Sequence, residues 1–143
     1  MSDVFRTPPP NVNTELVQEF LYANFDIIAS IEKLSSDRDL NLKVSTDDKS
    51  FVMKIAYSSE DKSILQMQND ALRYISSQDE SIEVPIPIKS KHKKDISVIE
   101  CHNSRNYVRL LTYIEGDFLK DVKPNSAMLF SVGEFLGNLD KAL

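Results

Sequence analysis

Apolar positions along this chain change period several times, and each change marks an element. Asn13 or Thr14 is placed to cap a helix running to about Asn24, with Leu16, Val17, Phe20 and Leu21 on one face. Ile27–Leu34 then reads as a strand, and Leu40–Thr46 as a second, with Leu40, Leu42 and Val44 alternating. The polar turn 47–50 leads into a third strand, Phe51–Ala56. A helix follows from near Ser59, with Ser59–Lys62 as its capped first turn and Ile64, Leu65, Met67, Ala71, Leu72 and Ile75 at helical spacing. Pro85 and Pro87 mark the extended stretch Val84–Ile88 as an edge, because proline cannot donate to a ladder. Lys89–Lys94 is a basic tip, read as a solvated hairpin turn. Ile96–Cys101 and Tyr107–Ile114 are two more strands, the second apolar on both faces. After a loop from Glu115 to Pro124, a last helix starts at about Asn125, with Met128, Leu129, Val132, Phe135, Leu136 and Leu139 as its inner face. Hairpin-length connections predict an antiparallel, five-stranded sheet with a helix inserted after strand 3 and helices at both ends, an α+β fold.

The third strand carries the strongest chemical signal, a lysine in the middle of an apolar run. Burying an unpaired ammonium is costly, so Lys54 must reach an edge or find a partner. One outcome is a side chain on the solvent face of a half-exposed strand; the other is a positioned cation.

Composition narrows the rest. A chain of 143 residues is one domain's worth, and 41% apolar residues suffice for a core. The net charge of −5 disfavours nucleic acid or a membrane surface as partner. Cys101 stands alone, which excludes an internal disulfide, suits a reducing compartment and reads as a core residue. No apolar run approaches the roughly 18 residues of a membrane span, and the first residues lack the apolar stretch of a signal peptide. A cytoplasmic location is expected. Residues 1–12, with Pro8, Pro9 and Pro10, are expected to be disordered or extended.

Three stretches, in order, give the pattern a name. They are Leu34–Asn41 leading into Lys54; Leu65–Leu72; and Tyr107–Gly116 followed by Val132–Leu143. Together they resemble the N-terminal lobe of the aminoglycoside phosphotransferase–choline kinase superfamily, a branch of the protein-kinase-like fold, and within it the hydroxylysine kinase and homoserine-kinase-type group. The resemblance spans residues 14–143. It implies a nucleotide-binding half at 13–116, and at 117–143 a linker and first helix toward a second lobe. It also implies that Lys54 pairs with the α- and β-phosphates of ATP, since a phosphoryl-transfer site needs a fixed cation there. The residue that would orient this lysine is Gln68, where the family carries glutamate; an amide accepts a hydrogen bond but brings no charge. The loop over the phosphates would offer the amides and hydroxyls of Ser35 and Ser36, with Arg38 nearby, and Asn41 would shape its turn. Leu111 would lie behind the adenine, with the Thr112 carbonyl and Ile114 amide as its hydrogen-bond partners.

The same resemblance places the catalytic aspartate and the magnesium ligands in a C-terminal lobe, and none is assigned here. His92 and His102 lie on a turn or strand and read as surface residues. The chain is thus expected to be the ATP-binding lobe of a longer small-molecule kinase, acting on a hydroxyl of an amino acid or amine, inactive alone, and prone to self-association through 125–143. Two other readings stay open: a non-enzymatic module of kinase-like shape, and an unrelated α+β domain whose basic tip contacts an acidic partner.

Overall fold

The computed structural model describes residues 9–78 and 81–143, so most of the expected extended segment 1–12 lies outside the described residues. The elements are α1 (Thr14–Phe25), β1 (Ser30–Lys33), β2 (Leu40–Ser45), β3 (Ser50–Ile55), α2 (Lys62–Gln78), β4 (Pro87–Ile88), β5 (Ser97–Cys101), β6 (Ser104–Thr112) and α3 (Ser126–Ala142), with a short 3-10 turn at Leu119–Asp121. All strand pairs are antiparallel, in the order β1-β2-β3-β6, and β4 and β5 both pair with β6. Val108 faces Ile55 and Ser97, while Leu110 faces Met53 and Ile88, so β4 and β5 share one flank of β6. The sheet therefore has six strands but is five across, where five strands were expected.

Local chemistry sets the ends of the elements. Asn13 caps α1, its Oδ1 accepting from the Leu16 amide at 2.8 Å. The helix stops at Asp26, whose φ of 56° is left-handed. The β5–β6 turn puts both His102 and Asn103 at positive φ, the geometry that matches a two-residue hairpin to strand twist. This turn makes β6 start at Ser104, earlier than the pattern suggests, and it leaves Cys101 half-exposed at the end of β5. Cys101 is thus not a core residue; its Sγ lies 2.8 Å from His102 Nδ1.

Alternation sorts the sheet into two faces. Leu40, Leu42, Val44, Met53, Ile55, Val108 and Leu110 pack with Val17, Phe20 and Leu21 of α1 in the main core. The opposite face receives α2, where Leu65 packs with Ala56, Ile96 and Tyr107. Helix α2 begins at Lys62, three residues later than expected, because Asp61 supplies the cap: its Oδ1 accepts from the Ser63 amide and hydroxyl, both at 2.8 Å. Those bonds hold the Asp61 carboxyl below its usual range. Its buried stripe also differs from the apolar list. Leu65, Asn69 and Ile75 are buried, whereas Ile64 and Met67 face solvent. Likewise, no residue of α3 is fully buried: Met128 and Leu139 are half-buried, while Leu129, Val132, Phe135 and Leu136 of the expected inner face are exposed.

The turn between β4 and β5 is fastened to both helices. Arg73 of α2 donates to Asp95 through two nitrogens at 2.9 and 2.6 Å, and Lys89 adds a third contact at 3.0 Å. Hydrogen bonding to Arg73, then to Lys89, holds the Asp95 carboxyl below its ordinary range. A depressed carboxylate stabilises the fold above its unfolded pKa and loses that contribution as pH falls through the folded value. We expect Asp95→Asn to lower unfolding free energy by about 1–2 kcal/mol near neutral pH. In urea denaturation the difference should vanish at strongly acidic pH; a gap that persists there would assign the effect to packing instead.

Candidate functional site

Cross-strand register decides what surrounds Lys54. Asn41 of β2 and Arg109 of β6 sit directly opposite it on either side, so the three side chains form one row on the α2 face of the sheet. The next row holds Lys43, Val52, Leu111 and Pro87. One row is cationic and polar and its neighbour is largely apolar. Between them and α2 lies a cleft of about 490 Å³, lined by Val52, Lys54, Gln68, Leu72, Arg109 and Leu111, with Ala71 and Pro85 at its border.

Lys54 Nζ donates to Asn41 Oδ1 at 2.9 Å. Gln68 does not take that role: its Oε1 accepts from Arg109 Nη2 at 2.7 Å. Arg109 is 4% exposed, and its Nη1 donates to Asn69 Oδ1 at 3.0 Å and to the Leu65 carbonyl at 3.5 Å. Amides and a carbonyl thus hold this guanidinium, and among the described residues no carboxylate hydrogen-bonds to it. Burial pushes the Lys54 ammonium below its ordinary pKa; Asp39 partly opposes this, and the like charge of Arg109 adds to it. Arg109 is shifted down by burial as well, with Asp39 and Glu60 opposing. A guanidinium stays protonated through such a shift, so two cations stand side by side with only neutral hydrogen-bond partners.

The other expected site residues divide. Leu111 and Gln68 join Lys54 in the cleft. Ser35 and Ser36 lie on the β1–β2 connection, outside the cleft lining, and their hydroxyls have no partner among the described residues. Arg38 of the same connection does not line the cleft; its guanidinium stacks 4.1 Å from the centre of the Tyr57 ring. Thr112 ends β6 beside the cleft. Its amide donates to the Ile86 carbonyl at 3.0 Å, and its Oγ1 accepts from the Ile86 amide at 2.8 Å. Ile114, just beyond, is 37% exposed, and its amide has no hydrogen-bond partner among the described residues.

Arg109 and the Asn41 contact were absent from the sequence reading. Alternation along β6 places Tyr107, Arg109 and Leu111 on one face, so a charged residue within an apolar strand was visible there, just as at Lys54. That it lies opposite Lys54 depends on pairing across more than fifty residues.

A scan against known protein families finds no match. Two curated relatives are hydroxylysine kinases. The chain is 26% identical to that of Xenopus laevis over 126 residues, and 24% identical to that of Danio rerio over 140 residues. These alignments cover 81% and 94% of the chain but only 34% and 39% of the relatives, so the chain spans little more than a third of their length. Among solved structures, an amicoumacin kinase in complex with AMP-PNP, Ca2+ and Ami superposes on 92% of the chain with a TM-score of 0.75 at 16% identity. A microcompartment-associated aminopropanol kinase gives 0.74 at 11% identity, and spectinomycin phosphotransferase in complex with ADP and spectinomycin gives 0.68 at 11%. Each match covers about 40% of the solved chain. The fold is aminoglycoside-phosphotransferase-like. Within this phosphotransferase-like lobe, Lys54, Gln68 and Leu111 share one cleft, and among the described residues no three of His, Cys, Asp and Glu cluster to hold a metal ion. No helix among the described residues is long and apolar enough to cross a membrane.

Proposed function

We propose that this chain is the ATP-binding lobe of a small-molecule kinase, whose whole form transfers the γ-phosphate of ATP to a hydroxyl of an amino acid or amine. The observation that carries this reading is the row Asn41–Lys54–Arg109 lying beside the apolar pair Val52 and Leu111 in one cleft. A nucleotide needs both surfaces: cations for its phosphates and a flat apolar slot for its base. Lys54 would meet the phosphate oxygens, with Asn41 fixing its direction. Arg109, held by Gln68 and Asn69, would add positive potential from beneath. Val52 and Leu111 would flank the adenine, and the free Ile114 amide and the Thr112 carbonyl would meet its polar edge. Ser35 and Ser36 would close over the phosphates from the β1–β2 connection.

In this reading residues 13–116 are the nucleotide-binding half, and 117–143 connect to a second lobe. That lobe would carry the catalytic base and the magnesium ligands, so the 143-residue chain would bind ATP weakly and transfer no phosphate. Direct evidence would come from titrating the chain with ATP while following the Lys54 side chain by NMR. Saturable shifts at Lys54 and Leu111 support the reading; shifts elsewhere, or none at millimolar ATP, overturn it.

A second reading has one observation in its favour. Gln68 is committed to Arg109, and among the described residues no carboxylate hydrogen-bonds to Lys54 to orient it as an active kinase lysine would be oriented. A kinase-shaped module without catalysis is compatible with that. It separates from the first through phosphoryl transfer by the longer protein.

The exposed face of α3 supports contact with another surface. Leu129 is 57% exposed and Leu136 53%, and with Val132 and Phe135 they form one contiguous apolar face. We expect the chain to self-associate through α3, with sedimentation showing a concentration-dependent dimer that Leu136→Lys removes. A monomer at all concentrations would count against it.

A further inference from the structure

The basic turn between β4 and β5 borders a second cleft, of about 540 Å³, that shares no lining residue with the Lys54 cleft. The two lie on opposite flanks of α2. Lys62 and Gln66 face the second, whereas Gln68 and Leu72 face the first, as helical periodicity requires. Three cationic side chains converge on it from three elements, Lys62 from the first turn of α2, Lys94 from the turn and Arg105 from the β5–β6 hairpin, with the His92 imidazole beside them.

Their charge is not cancelled locally. Asp95 is the one acidic residue of the lining, and its carboxylate already carries Arg73 and Lys89. Glu100 sits opposite Arg105 on the hairpin, but no ion pair joins them. Lys62, Lys94 and Arg105 have no side-chain hydrogen bond or ion pair among the described residues. In a chain of net charge −5, this is a local excess of the opposite sign.

The cleft is also built, not a loose tip. Ser90 is 4% exposed; its amide donates to the Lys94 carbonyl at 2.9 Å, and its Oγ accepts from the Lys94 amide at 3.2 Å. The Lys91 amide donates to the Asn24 carbonyl at 2.8 Å, and its ammonium reaches Asp26 at 3.1 Å. The turn is thereby fastened to the end of α1, while Arg73 and Asp95 fasten it to α2. A pocket of this volume, with converging cations and a Tyr107 wall, fits a small ligand and not an extended surface.

We propose that this cleft binds a compact polyanion, a small molecule carrying two or more phosphate or carboxylate groups. Recognition is by convergent ammonium and guanidinium donors, so the site is distinct in chemistry from the mixed apolar and cationic Lys54 cleft.

Calorimetric titration of the 143-residue chain at low ionic strength tests this, with pyrophosphate and citrate as separate probes. Both are run in a Lys54→Ala background, so that phosphate bound at the nucleotide cleft does not contribute. One saturable site is expected, weakened at least about tenfold by Lys94→Gln combined with Arg105→Gln and by added salt. Binding of both probes would define a charge-selective site, and of pyrophosphate alone a phosphoryl-selective one. No saturable binding of either probe, or binding that the double substitution leaves intact, would overturn the proposal. These side chains are exposed, so melting temperatures should match the parent; if the double variant unfolds, Lys62→Gln serves in its place. Failure of ATP titration at Lys54 would leave this result untouched, so the two readings fail separately.

Discussion

Replacing Lys54 with methionine should abolish detectable ATP binding while making the chain more stable. The ammonium is half-buried and its one hydrogen-bond partner among the described residues is a neutral amide, so the folded state carries a desolvation cost that the charge of Asp39 offsets only in part. Methionine keeps the stem that packs near Val52 and Leu111 and removes the charge. We expect the melting temperature to rise by about 3 °C and ATP affinity to fall by at least about tenfold, the loss of a charge-assisted phosphate contact. The sign of the pH dependence follows from the lowered pKa. Where Lys54 is protonated in both states, the folded form bears the full cost; the cost is relieved as pH rises through the window between the lowered folded value and the ordinary lysine value. The stability advantage of the variant should therefore shrink in that alkaline window. ATP binding by the parent should weaken over the same window, because phosphate selects the charged amine. A variant that loses stability but keeps ATP would reverse the assignment of Lys54 from ligand clamp to structural residue.

The second large effect belongs to Arg109. Its truncation to alanine removes a buried side chain and strands the Asn69 oxygen in an environment that is fully buried. The loss combines a cavity with an unsatisfied polar group, about 3 kcal/mol, or roughly 10 °C in melting temperature. Arg109→Met keeps the apolar stem but still strands Asn69, so its loss should fall between alanine and the parent. A structural residue alone would stop there. Because Arg109 lies opposite Lys54 and lowers its pKa through like charge, the methionine variant should also show the Lys54 pKa moving up in an NMR titration. An unchanged Lys54 titration would mean that the two cations do not sense each other.

Much of the lobe was legible in the chain itself. The alternation of Leu40, Leu42 and Val44, the polar turn before Phe51, the prolines at 85 and 87, and the Asn13 cap each act over a few residues. Each element therefore appeared where its local chemistry placed it, to within a few positions. Lys54 stood out for the same reason: an ammonium within an apolar strand is a local conflict that requires a partner.

The partner was not local. Asn41 and Arg109 meet Lys54 because turn lengths set the register of β2 on β3, and because β6 returns from more than fifty residues away to pair on the other side. The same long-range pairing gives Gln68 to Arg109 instead of to Lys54, and turns Asn69, a polar residue at a helical position with no apolar signal, into part of the core. Cys101 left the core because a two-residue turn ended its strand, and most of the apolar face of α3 stayed open because α2 meets this helix only near its C-terminal end. Sequence determined the elements and the presence of a cation that had to be explained. Only the tertiary structure decided what that cation faces, since cross-strand register is set by the packing of the whole sheet and not by any segment of it.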